Sequence, residues 1–233
     1  MRAVILAAGR GTRMGRLTEE SPKALIALDR RTILERTLEL LPESIGEAIV
    51  VVRYRGEEIR KHIGPKRGKL RLRYVEQEGE GTGSALWSAR EAVGEERFLA
   101  INGDDVYRAG DVARCLERPL ACAIFTTHAR GSMTEMLHVE TDEKGRMRGV
   151  RELTDAERQG KSGVNIPTGL YVLDARVFEE GPLKADSGEA SVPHTVARLA
   201  ERAEVWATSS KSWLPINTPM ELSLARERIA VTG

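Results

Sequence analysis

The sequence predicts an α/β fold organised on a mixed, mainly parallel sheet flanked by helices, and two observations carry that reading. Short apolar runs alternate with segments whose apolar residues recur at helical spacing, the pattern of βαβ units. The residues able to do chemistry fall just after those runs, where ligands sit at the carboxyl ends of strands in such sheets.

Ala3-Val4-Ile5-Leu6 is the first strand, since a parallel strand covered on both faces reads as an unbroken apolar run. Residues 32–41 place Ile33, Leu34, Leu38 and Leu41 at helical spacing, and Pro42 ends that helix. Residues 48–52 form a second buried strand. A short helix over 57–63 is closed by Gly64-Pro65, and 70–75 alternates into a third strand. A helix over 84–93 precedes the fourth strand, Phe98-Leu99-Ala100-Ile101, which delivers Asn102-Gly103-Asp104-Asp105 at its end.

The second half reads differently. Residues 120–127, 136–140, 146–152 and 169–173 are expected as strands of a meander or mixed extension of the sheet, with a turn at Asp142-Glu143-Lys144-Gly145. Residues 155–164 are polar and glycine-containing, which predicts a mobile loop. Helices are expected over 189–202 and 220–230. No internal repeat or linker divides the 233 residues, so a single domain is expected.

Lys plus Arg number 36 against 35 for Asp plus Glu, a formal net charge of +1. That balance argues against a general nucleic-acid or membrane-surface binder while leaving room for a local basic pocket. No run of about eighteen apolar residues predicts a membrane span. The first strand begins at once, which leaves no room for a signal peptide. Cys115 and Cys122 have no metal or redox spacing and read as core thiols, so a cytoplasmic protein is expected. His62, His128, His138 and His194 are scattered without metal spacing, and three tryptophans are too few for a base-stacking platform.

The most informative stretch follows the first strand. Leu6, Ala7, Ala8, Gly9 and Gly11 put little bulk on the loop, so its backbone N–H groups can approach phosphate oxygens. Thr12 adds a hydroxyl donor, and Arg10, Arg13 and Lys23 add positive charge. Pro22 fixes φ immediately before Lys23 and so aims it. The stretch is neither a P-loop, for want of a Gly-Lys-Ser/Thr, nor a dinucleotide fingerprint, for want of the third glycine. Small residues, anion donors and three cations describe a nucleoside triphosphate site. Asp104, at the end of a buried strand, is a carboxylate placed to hold Mg²⁺, unless it serves only to cap a turn. Asp105 would point to the opposite face. Gln77 offers the donor and acceptor that a pyrimidine imide needs, and Gly81 would let a base lie flat on the backbone.

L-A-A-G-R-G-T-R-M followed by Pro22-Lys23 resembles the signature of the sugar-1-phosphate nucleotidylyltransferases. The resemblance implies a Rossmann-like nucleotidyltransferase fold, a nucleotide-binding half over 1–118 and a sugar-phosphate-binding half over 119–233. It implies the reaction of an NTP with a sugar 1-phosphate to give NDP-sugar and pyrophosphate, with Mg²⁺ as cofactor. Leu6, Ala7, Ala8, Gly9, Gly11, Thr12, Gln77, Gly81 and Thr82 would bind the nucleotide, and Arg13 and Lys23 would act on its phosphates. Asp104 would be one metal ligand. Asn217, in the closing Leu214-Pro215-Ile216-Asn217-Thr218-Pro219, would be the second, although many members carry an Asp two residues earlier, where this chain has Pro215. Thr218 and Pro219 equally suit a helix start.

The segments around Arg151-Glu152 and Thr168-Gly169 resemble the sugar side of bacterial UDP-N-acetylglucosamine pyrophosphorylases. That resemblance assigns Glu152, Asn165, Thr168 and Gly169 to the sugar, with Ile166-Pro167 between Asn165 and Thr168. The β-helix acyltransferase domain of the bifunctional members is expected to be absent. UTP or dTTP is the expected donor, and homo-oligomerisation is left open. Three other readings share parts of the pattern. They are a cytidylyltransferase for phosphocholine or a polyol phosphate, a molybdenum-cofactor guanylyltransferase and a non-catalytic nucleotide-sugar sensor.

Overall fold

The computed structural model describes residues 1–179 and 181–232. In chain order these are β1 (Arg2–Leu6), α1 (Leu17–Glu20), α2 (Ile33–Glu39), β2 (Glu47–Val52), α3 (Gly56–Ile63), β3 (Lys66–Arg67), β4 (Leu70–Glu76), α4 (Gly81–Ser88), α5 (Arg90–Val93), β5 (Phe98–Asn102), α6 (Ala109–Leu116), β6 (Ala121–His128), β7 (Leu137–Thr141), β8 (Met147–Glu152), α7 (Asp155–Arg158), β9 (Gly163–Leu173), α8 (Val192–Ala200), β10 (Trp206–Ser209) and α9 (Pro219–Thr232).

An eight-stranded sheet in the order β10-β6-β9-β5-β1-β2-β4-β3 forms the frame, and β7-β8 is a separate antiparallel hairpin. The strands β5, β1, β2 and β4 run parallel, so the loops that follow them emerge at one edge. β9 is antiparallel to both β5 and β6, and β10 is parallel to β6. The expected mixed, mainly parallel sheet is therefore present. Alternation along β1 sends Ala3 and Ile5 into one buried cluster and Val4 and Leu6 into another, so both faces of the sheet are covered.

Several elements differ from the sequence reading. The stretch 155–164 is not a loose loop: α7 occupies its start and β9 begins at Gly163. Thr154 and Glu157 form a capping box, and Arg151 grips both oxygens of Glu157 at 2.8 and 2.9 Å. The T-x-x-E spacing is the sequence signal for this helix. The expected helix over 84–93 starts three residues earlier and breaks at Ala89. The helix expected from Glu189 starts at Val192 with Pro193 in its first turn, which leaves Ala190 and Ser191 against the start of α4. The sequence reading did not anticipate α6 and β10.

Candidate functional site

The strand ends converge because the backbone there is packed tightly. Gly103 donates its N–H to the carbonyl of Leu6 at 2.8 Å, and an added Cβ would lie 2.9 Å from Ile5. This close approach seats Asp104 beside the glycine loop after β1. On the other side Ala7 and Gln77 donate to Val51 and Val52, which fixes the loops after β1 and β4 to the end of β2. A cavity of about 900 Å³ opens between these loops. Its lining includes Leu6, Ala8, Gly9, Gly11, Thr12, Arg13, Lys23, Gln77, Gly81, Thr82, Asp104 and Asn217 from the sequence reading. Ala7 is buried behind it.

The loop itself is held open to an anion. Among the described residues, Ala8, Gly9, Arg10 and Gly11 donate no backbone hydrogen bond within the protein. Gly11 has φ +69, and its missing side chain leaves room for the Lys23 stem, whose Cβ and Cδ would be 3.1 Å from an added Cβ. Thr18 ties the loop down through its hydroxyl to the Gly11 carbonyl at 2.9 Å. Arg10 lies over the Tyr54 ring, 5.3 Å from its centroid. Arg13 is half exposed and paired at 3.0 Å with Glu135, which reaches in from the segment Gly131–Glu135.

Lys23 is 4% exposed. Its Nζ donates to Asp104 Oδ2 at 2.7 Å and to Asn217 Oδ1 at 3.3 Å. The two oxygens named from sequence as metal ligands thus converge on one cationic centre, which the ammonium fills. Among the described residues no cluster of three or more His, Cys, Asp or Glu side chains could hold a metal. One carboxylate and one amide oxygen nevertheless fit Mg²⁺, which takes few protein ligands and completes its shell with phosphate and water oxygens. Asp104 and Asn217 are the residues that would hold it.

Asp105 turns the other way, as expected, but it is not idle. Its carboxylate accepts from Trp213 Nε1 at 3.2 Å and from the Ile216 N–H at 3.3 Å. Val106 and Leu214 exchange two backbone hydrogen bonds of 3.0 Å beside it. These contacts lock the segment bearing Asp104 to the one bearing Asn217. Burial, with the neighbouring Asp104 charge, pushes the Asp105 carboxyl up to about 7.

At the far end of the cavity Gln77 donates through Nε2 to the carbonyls of Gly79 and Gly81 at 3.0 and 3.1 Å. Both partners are acceptors, so the amide nitrogen must face them and its oxygen is left for a ligand. Gly81 has φ +86, and the volume a Cβ would occupy is filled by backbone: the Ala190 oxygen would be 2.2 Å away. Gly83 donates to that same oxygen at 2.9 Å, and Thr82 Oγ1 accepts from the Val192 N–H at 3.2 Å. The glycines of this turn are therefore required by the seat of residues 189–191. Gly81 also lines the cavity, where a base would meet its backbone.

The residues assigned to the sugar stand apart from the cavity lining. Glu152 accepts from Arg158 at 2.6 Å, and its backbone lies opposite Leu137 in the β7-β8 hairpin. Asn165 pairs with Thr126 Oγ1 at 2.8 Å. Thr168 is fully buried and donates to the Ala123 carbonyl at 3.1 Å. Gly169, at φ +77, leaves the space taken by the Asn102 amide, 2.2 Å from an added Cβ. The cavity wall on this side is instead Met136, Leu137 and Pro167, with Asn102 and Glu135. Of these, sequence reasoning reached only Asn102 as a strand end. The others arrive by folding of the second half and carry no local signal.

A sheet of this order, with a glycine loop of unengaged N–H groups after its first strand and a Lys-Asp-Asn centre, has the architecture of a nucleotidyltransferase-type α/β protein. The chain belongs to the family of the MobA-like NTP transferase domain, whose model matches residues 3–164. It is 27% identical over 226 residues to the bifunctional protein GlmU of Methanocaldococcus jannaschii, covering 95% of this chain and 52% of that one. It is 29% identical over 181 residues to the D-glycero-alpha-D-manno-heptose 1-phosphate guanylyltransferase of Aneurinibacillus thermoaerophilus, covering 77% of each. The chain spans about half the length of the first curated relatives it matches. Among solved structures, a Bacillus anthracis protein described as a glucose-1-phosphate thymidylyltransferase superposes with a TM-score of 0.81 at 19% identity, covering 98% of this chain and 94% of that one. A UDP-glucose pyrophosphorylase bound to UDP-glucose does so at 0.76 and 15%, covering 100% and 99%. At those identities the likeness shows the fold alone. No helix among the described residues is long and apolar enough to cross a membrane.

Proposed function

We propose that this chain transfers a nucleotidyl group from UTP or dTTP to a sugar 1-phosphate, releasing pyrophosphate. The observation that carries the proposal is the convergence of Lys23, Asp104 and Asn217 beside a loop whose N–H groups are unengaged. A sugar phosphate oxygen attacks the α-phosphorus, and the α–β phosphoanhydride bond breaks as pyrophosphate leaves. Such a transfer requires alignment and charge neutralisation rather than a covalent intermediate.

The loop from Ala8 to Thr12 would cradle the triphosphate. Arg13 would exchange Glu135 for the β- and γ-phosphates, and Lys23 would turn from Asp104 to the charge growing at the α-phosphate. Asp104 and Asn217 would hold Mg²⁺, which would supply positive charge against the phosphate groups of the reactants.

Gln77, its nitrogen committed to the loop, would offer an acceptor to the base. The imide N–H of uracil or thymine donates there, whereas the ring nitrogens of cytosine and adenine at that position accept. Guanine also donates, and the curated relatives span uridylyl and guanylyl transfer by name. The pyrimidine is preferred on the resemblance to a relative that transfers a uridylyl group by name.

On the acceptor side, Glu152 and Asn165 adjoin the residues Leu137 and Pro167 that line the cavity, and a sugar would engage them once their side chains leave Arg158 and Thr126. Thr168 and Gly169 would act through the backbone, Gly169 by seating Asn102 in the cavity. Residues 1–118 would then serve the nucleotide and 119–233 the sugar phosphate. Two buried thiols, Cys115 and Cys122, suit the cytoplasm as the site of action. Phosphorus NMR of the purified chain with UTP and a sugar 1-phosphate tests the proposal. Equal amounts of pyrophosphate and a new diphosphate diester support it, and hydrolysis of UTP without a diester rejects it.

A further inference from the structure

Asn217 differs from a carboxylate in one respect that matters to a cation: its two ends are unlike. A metal or ammonium is bound by Oδ1 and repelled by the amide hydrogens, so an asparagine ligand has to be oriented. The structure shows how. Oδ1 accepts from Lys23 at 3.3 Å, while Nδ2 donates to Ser132 Oγ at 3.2 Å. The Ser132 hydroxyl in turn donates to Glu221 Oε1 at 2.6 Å. Its single proton is thereby committed, and Ser132 can only accept from Asn217. Glu221 is itself fixed, because its other oxygen accepts the N–H groups of Asn217 and Thr218 at 2.8 and 3.1 Å. The order Glu221, Ser132, Asn217 admits one direction of hydrogen bonding.

We propose that Ser132 is a positioning residue that holds the Asn217 carboxamide with its oxygen toward the Asp104 centre. The proposal rests on reading that centre as the Mg²⁺ site of a nucleotidyl transfer. Lys23 gives the same bias only while it stays beside Asp104. Once the ammonium turns to a phosphate, the Ser132 contact alone keeps the amide from flipping. Ser132 belongs to the Gly131–Glu135 segment, which Arg158 pins by donating to the Thr134 carbonyl at 2.6 Å. The same segment carries Glu135 to Arg13.

The test is a titration of the full chain with Mn²⁺ alone, read by water-proton relaxation, on wild type, Ser132→Ala, Ser132→Thr, Asn217→Asp and the Ser132→Ala/Asn217→Asp pair. Thermal melting confirms that each is folded. Loss of an orienting partner behind a metal ligand typically weakens binding on the order of tenfold or more. Ser132→Ala is expected to show that loss, and Ser132→Thr, which keeps the hydroxyl, to restore most of it. In the Asn217→Asp background Ser132→Ala is expected to change affinity less than about twofold, because a carboxylate has no wrong end. Equal losses in both backgrounds, or none in wild type, overturn the positioning role while leaving the metal site standing. A wild type that binds no Mn²⁺ removes the metal reading and the proposal with it.

Discussion

The ammonium of Lys23 lies 2.7 Å from the Asp104 carboxylate, and both sit where the loop after β1 meets the end of β5. A buried lysine between two oxygens is a tethered cation occupying the position a metal would take. Lys23→Ala should therefore do two opposite things. Turnover should fall on the order of a hundredfold, as for loss of one preorganised charge contact. Mn²⁺ affinity should rise, because the competing ammonium is gone. Steady-state rates and a metal titration on the same preparation check both. A variant keeping half of the wild-type rate would remove Lys23 from the chemistry.

Asp104 and Asp105 are adjacent and should behave differently. Asp104→Asn should weaken metal binding with little change in melting temperature, since its carboxylate faces Lys23 and the cavity. Asp105→Asn supplies one acceptor oxygen to two donors, Trp213 Nε1 and the Ile216 N–H, and turns an NH₂ toward one of them. An unsatisfied buried polar group costs about 1–3 kcal/mol, so this variant should melt lower. The same titration and melting curves, run on both, separate the roles, and identical behaviour would contradict them.

Gly81→Ala should destabilise the protein. The left-handed φ of +86 and an Ala190 oxygen 2.2 Å from the new Cβ both oppose it. The loss should exceed about 1 kcal/mol, the usual gain from a glycine replacement that fits. Chemical denaturation measures it. An unchanged midpoint would mean that residues 189–191 do not bear on α4.

How far the site could be read from sequence depends on range. The glycine loop, Asp104 and Gln77 are legible because each directly follows a strand end, and parallel pairing brings those ends together; Lys23 is legible through the Pro22 before it. Asn217 is legible through its Thr-Pro helix start. Ser132, Glu135 and Met136 are not, since nothing local distinguishes their segment from any polar connection until β7-β8 folds back over the cavity. Glu152 and Asn165 are a different case. Their segments resemble the sugar side of the family, and in the structure their side chains pair with Arg158 and Thr126 outside the cavity lining. The run 155–164 reads as loose by composition, whereas the Thr154-Glu157 cap closes a helix at its start.

Acid should loosen that cap. The Arg151 guanidinium and the Thr154 N–H hold the Glu157 carboxyl well below its ordinary value near 4.5. With the folded value depressed, the ionised Glu157 stabilises the fold above the unfolded value, and that contribution is lost as pH falls below 4.5 toward the folded one. Melting temperature followed from pH 5 down to 3 should drop less steeply in Glu157→Gln than in wild type. Parallel curves would assign the acid sensitivity elsewhere.

Base selection is expected to rest on the Gln77 oxygen. Gln77→Ala should narrow the preference for UTP over CTP more than it lowers the rate with UTP, because the lost acceptor discriminates more than it binds. Competing the two nucleotides against one acceptor gives the ratio directly. A ratio unchanged by the substitution would move base reading away from Gln77.

The central claim is nucleotidyl transfer to a sugar 1-phosphate with a uracil or thymine donor, and a matrix of the common NTPs against a panel of sugar 1-phosphates, scored by pyrophosphate release, tests it most directly. The account predicts release with UTP or dTTP above that with GTP, and roughly ten- to a hundredfold above CTP and ATP, as one mispaired buried group would impose. Release confined to GTP, or none with any sugar 1-phosphate in the panel, would contradict it.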